Sequence, residues 1–159
     1  MTLIARYAPW LLGLFISAIF LDSLRFKFTG HPTPRHIFTT LREWSGIGLF
    51  YPAGPWIIGL GELLASVLLI ALPLILVLMS KQQLAGASQA AGALIALGIM
   101  TGAIVFHLFT PLGIETPTVW DGDRIVEQGP FLFIAACGSW LSAVVILLLR
   151  KGDLLAVLR

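Results

Sequence analysis

Glu62 is the only ionisable residue in the run PWIIGLGELLASVLLIALPLILVLM, Pro55 to Met79. A carboxylate near the centre of a bilayer-spanning helix costs about 2.5–3.5 kcal/mol on insertion scales. It must therefore face other helices or a wet cavity, find a proton or a cation, and mark a site. Six residues at about 1.5 Å each place it about 9 Å beyond Trp56, off the centre of the segment. His107 stands near the end of a second apolar run, and Asp22, Arg25 and Lys27 close a third. Together these five residues can make an acid–imidazole pair that holds or exchanges a proton, with positive charge beside it. A pocket built from them can take a quinone headgroup, a small anion or a lipid headgroup. Each residue also has a plainer use: Lys27 snorkelling to headgroups, Asp22 and Arg25 neutralising each other at i, i+3, His107 capping a helix end.

The remaining candidates carry less chemistry. His31 and His36 are five apart in a proline-containing loop, which is not the i, i+4 face of a helical zinc site, and no cysteine accompanies them. No metal site is assigned. Haem has only His107 within a span and no further support. Asp121-Gly122-Asp123 has the composition of a turn, and the rest of a calcium-loop spacing is missing. Cys137 is the sole cysteine, so neither an intramolecular disulfide nor a Cys-x-x-Cys relay can form. Ser139 and Ser142 read as interhelical hydrogen bonders. No nucleophile–base arrangement is visible, and no catalytic residue is assigned.

Positioning these residues falls to apolar helices. The chain has 159 residues, 58% hydrophobic and 11% charged, with mean hydropathy +0.95. That composition describes an integral membrane protein, and without a basic stripe nucleic-acid binding is excluded. Four segments, about 7–24, 55–79, 89–109 and 131–149, predict an all-α polytopic membrane four-helix bundle forming one domain over residues 1–159. Pro32 and Pro34 break the first helix's continuation. Ile37, Phe38, Leu41 and Trp44 then recur on one side of a short helix opposite Arg35, Arg42 and Glu43, which suits an interfacial helix in the first long loop. Pro73 is placed to kink the second span.

Alternating spans bring the end of the first helix, the start of the second, the end of the third and the start of the fourth to one membrane side, where all five residues sit. Gly59, Ala65 and Ser66 share the face of Glu62, and Ala93, Ala96, Met100 and Ala103 that of His107, so the two helices can approach closely. Basic residues tie at five on each side. The Arg150-Lys151 flank and the acidic last loop place both termini in the cytoplasm.

RFKFTG after the first span, the GLGELL stretch Gly59 to Leu64, and MTGAIVFHLFTPLGIE from Met100 to Glu115 resemble the DoxX-like family of small bacterial four-helix membrane proteins. The resemblance covers most of the chain. It implies a bacterial inner-membrane protein associated with redox partners, relatives including a subunit associated with thiosulfate:quinone oxidoreductase, and points by position to Lys27, Glu62 and His107. The absence of paired cysteines departs from thiol-using relatives. The reading reached is a pocket in the outer half of the bundle, built from Glu62, His107, Arg25 and Asp22 with Lys27 nearby, binding a quinone or other small lipophile as part of a quinone-linked oxidoreductase. The alternative is a non-catalytic scaffold that anchors a soluble oxidoreductase or forms a homo-oligomer among membrane lipids. A proton-coupled carrier is disfavoured, since there is no internal repeat and no pair of broken helices.

Overall fold

The computed structural model describes residues 3–157. Four helical stretches among them are long and apolar enough to cross a membrane: Ala5–Phe28, Ala53–Leu78, Gln82–Phe109 and Phe131–Val157. They belong to α1 (Leu3–Phe28), α3 and α4 (Ala53–Ser66 and Leu72–Leu78, joined by a π-helical turn at Val67–Ala71), α5 (Gln82–Phe109) and α6 (Phe131–Val157). Between α1 and α3 lies α2 (Pro32–Ser45), followed by a short 3₁₀ turn at Gly48–Phe50.

The first long helix, α1, outlasts its apolar run because its end is capped rather than broken. Gly30 takes φ 73° and the His31 N–H reaches back to the Phe26 carbonyl at 3.2 Å, a Schellman closure that lets α1 run on through Lys27. Pro32 then opens α2 at its first position, where a missing N–H costs nothing. At the end of α4, Ser80 adopts φ 61° and the Lys81 N–H bonds the Leu76 carbonyl at 2.8 Å. The expected SKQQLAGAS linker therefore shrinks to 79–81, and α5 begins at Gln82.

The predominantly helical bundle is as expected, with one addition and one further correction. The last long loop adds a two-stranded hairpin, β1 (Thr116–Asp121) and β2 (Arg124–Gly129), paired antiparallel across the Gly122-Asp123 turn. Asp121-Gly122-Asp123 is a turn as expected, with Gly122 at φ 58°, and the strands beside it pair with register irregularities between Pro117 and Trp120. The presumed interhelical serines also differ: Ser142 donates back to Gly138 O within α6, and buried Ser139 has no hydrogen-bond partner among the described residues.

Ile16 and Phe20 of α1, Ala65, Leu69, Ala93, Ala96 and Met100, and Ala136, Ala143 and Ile146 of α6 form the core. Half are alanines, so the helices approach closely there. Pro73 is accommodated by the π turn, and the carbonyls freed around it are met from α5: Ser88 Oγ donates to Leu68 O at 2.8 Å and Gln89 Nε2 to Leu69 O at 3.5 Å. Neighbouring helices commonly satisfy backbone groups released by a proline in this way. Gln89 Oε1 in turn accepts from Arg150 Nε at 2.9 Å, so one buried amide ties α5 to both the π turn and α6.

Candidate functional site

At the end of the bundle where α1 and α5 finish, α2 lies across the helices. Its buried face is Pro34, Phe38 and Leu41, with Ile37 half-buried and Arg35, Arg42 and Glu43 outward as the periodicity predicts; Trp44 instead faces out. Phe38 rests where Gly54 of α3 has no side chain: a Cβ there would stand 2.6 Å from the phenyl ring. The hairpin braces α2 from outside, Trp120 Nε1 donating to Thr33 Oγ1 at 2.8 Å and Thr33 Oγ1 donating to Pro117 O at 3.2 Å. His31 accepts the Thr33 N–H through Nδ1 as an N-cap, and His36 meets the Trp120 ring edge-on, so neither histidine enters the bundle.

Between α2 and the long apolar helices is a cavity of about 500 Å³. Its walls are aliphatic and aromatic side chains and glycine backbone, and its polar lining residues are Ser23, Lys27, Glu62 and His107. Lys27 Nζ donates to both Glu62 oxygens at 2.7 Å and to Ser23 Oγ at 3.0 Å. Ser23 Oγ lies 2.7 Å from Glu62 Oε2 and 2.8 Å from Phe20 O, two acceptors for its single proton. The Lys27 and Glu62 side chains are 13% and 4% exposed, so this ion pair is buried. Small residues make it possible. Phe28 of α1 lies against Gly59, where a Cβ would come within 2.6 Å of its ring, and stacks on Trp56 at 4.7 Å.

His107 approaches from α5. It is 6% exposed, its Nδ1 lies 2.6 Å from the Gly113 carbonyl, and Phe133 stands edge-on at 5.7 Å between ring centroids. Since a carbonyl only accepts, Nδ1 carries the proton of that bond. No direct hydrogen bond joins His107 to Glu62; they share the cavity, not a proton contact.

The sequence expectations divide accordingly. Glu62, His107 and Lys27 are brought together. Asp22 and Arg25 are not: they pair with each other at 2.9 Å, 58% and 68% exposed, and Arg25 lies over the Phe26 ring. Lys27, which the plainer reading sent to the headgroups, is the buried cation. The reason is helix phase. At about 100° per residue, positions 25 and 27 are about 200° apart, so only one of them can face Glu62. Ser23 was missed, yet Ile16, Phe20, Ser23 and Lys27 recur at i, i+4, i+7 and i+11, the inward stripe of α1. Gly98 and Gly102, one turn apart on α5, also line the cavity and went unremarked.

With its charges already paired, the site has the composition of a binding pocket, an apolar chamber with one polar end. No family model, curated protein or solved structure matches this chain.

Proposed function

We propose that this is a multi-pass protein of the bacterial inner membrane, DoxX-like in character, that holds a quinone-type or other small lipophile in the cavity under α2. Both termini are assigned to the cytoplasm, which puts the cavity in the outer half of the bundle. The role is that of a redox-associated subunit working beside a soluble oxidoreductase. The observation that carries this reading is the cavity itself, about 500 Å³ of apolar wall closing on Lys27, Glu62, Ser23 and His107. Quinones have this division, an apolar tail and a compact polar head. The resemblance of RFKFTG, GLGELL and MTGAIVFHLFTPLGIE to DoxX-like proteins agrees with it.

A second reading has an observation of its own. The Lys27–Glu62–Ser23 network joins α1 to α3 with most of its hydrogen bonds met internally, as structural glue would be. On that reading the protein is a scaffold for its partner enzyme.

The test is extraction and mass spectrometry of protein isolated in polymer-bounded native membrane discs, beside Gly98→Leu. A Cβ on Gly98 would meet nothing within 4 Å, so the variant is expected to fold while its side chain fills the cavity mouth. A near-stoichiometric lipophile, depleted in Gly98→Leu, supports the pocket. Ligand-free protein that captures a soluble oxidoreductase transfers the assignment to the scaffold.

A further inference from the structure

We infer that the cavity selects lipophiles whose polar head donates hydrogen bonds, and so favours the hydroxyl-bearing, reduced form of a quinone-type ligand over its dicarbonyl form. This deepens the binding-pocket reading and rests on it.

The argument is a count of protons and lone pairs at the polar end. The Lys27 ammonium has three N–H groups and three acceptors already in place, both Glu62 oxygens and Ser23 Oγ. Ser23 has one proton and two acceptors competing for it, Phe20 O and Glu62 Oε2. The His107 Nδ1 proton is committed to Gly113 O. No side-chain donor among the cavity's polar residues is left over for a ligand carbonyl or an anion.

Acceptors are in surplus. In the neutral imidazole Nε2 carries a lone pair, and it has no hydrogen-bond partner among the described residues although His107 is buried and lines the cavity. A carboxylate offers about four lone-pair sites, and Lys27 and Ser23 fill at most three of those on Glu62. A hydroxyl head donates to His107 Nε2, the acceptor with no partner of its own, since both Glu62 oxygens already accept from Lys27 or Ser23. A carbonyl head meets lone pairs and is repelled. A free anion is disfavoured for the same reason, which removes one of the three ligand classes the sequence left open.

Access fits a membrane-dissolved ligand. Ile47, Leu49 and Ile57 line the cavity and are half or more exposed, and Gly98, which also lines it, is exposed too, so the cavity opens through apolar residues on the outside of the bundle.

The test uses para-decylphenol and its methyl ether, which share a ring and tail and differ in the donor. Equilibrium binding would be measured to the intact protein in phosphatidylcholine nanodiscs, corrected for partition into empty discs. The phenol is expected to bind about five- to tenfold tighter, the worth of one net hydrogen bond. His107→Phe should erase that preference, while Gly98→Leu should weaken both compounds alike. Equal affinity for phenol and ether in the unmodified protein overturns donor selection and leaves the pocket standing, whereas no saturable binding of either overturns the pocket as well. A preference that persists in folded His107→Phe overturns His107 as the acceptor. Should that variant not fold, a decyl-substituted quinone and its hydroquinone on unmodified protein decide the matter, tighter binding of the quinone overturning the inference.

Discussion

Lys27 and Glu62 neutralise each other inside the bundle, and the energetics of such a pair are asymmetric. Removing one partner leaves a buried charge alone, at a cost of about 3–5 kcal/mol, while replacing both with apolar residues of similar size is often neutral or stabilising. Lys27→Met is therefore expected to lower stability by about that amount, and Lys27→Met with Glu62→Leu to be at least as stable as the parent. Thermal unfolding in a fixed detergent checks both, and a double variant as unstable as the single one would show that the pair does more than neutralise. Glu62 was legible from sequence because an acid amid so many aliphatic residues has no other explanation. Its partner was harder to read, since three charged residues crowd the end of α1 and proximity along the chain does not choose among them. The choice is made by rotation, and Ile16 and Phe20, two fully buried residues on the same stripe, set that rotation.

At the scale of the element, α5 shows how local spacing becomes architecture. Gly92 sits where a Cβ would be 2.9 Å from the Ala65 carbonyl and from Leu68 Cβ, so that α5 can lie against α3 and the π turn with almost nothing between them. Gly98, less than two turns on, has open space before it. Alanine is expected to act oppositely at the two positions: Gly92→Ala should destabilise by about 1–3 kcal/mol through overpacking, and Gly98→Ala should stabilise by up to about 1 kcal/mol through helix propensity. Denaturation midpoints of the two variants in the same detergent check the contrast, and similar shifts in both would contradict the close approach at Gly92. The small face of α5 was legible in Ala93, Ala96 and Met100. Which glycine is filled by a neighbour and which borders space depends on where α2 and α3 lie, and no pattern within α5 records that. The π turn has the same character: Pro73 announces a disturbance, while its repair by Ser88 and Gln89 is a contact between elements.

For the whole molecule, hydropathy made the bundle plain and left its cap obscure. Residues 116–129 are too short and too polar to register beside four long apolar runs, yet Gly122-Asp123 and the strands around it fold into the brace that holds α2 by Trp120 and Thr33. Charge at the other end is also spent differently from its reading in sequence. Arg150, counted as a surface charge when the termini were oriented, is 8% exposed, bonded to Gln89 and 3.5 Å from Asp153, so Lys151 alone of that flank faces outward. A mouth on the apolar side means that any amphiphile surrounding the bundle competes for the chamber. Alkyl maltosides, the common choice for extracting such proteins, are hydroxyl-bearing heads on aliphatic tails and mimic the proposed ligand. Amine-oxide surfactants of equal tail length bring an acceptor and no donor. Apparent affinity for para-decylphenol is accordingly expected to be weaker in maltoside than in amine oxide at matched micelle concentration, and a ligand carried from the cell would be washed out by the first and retained by the second.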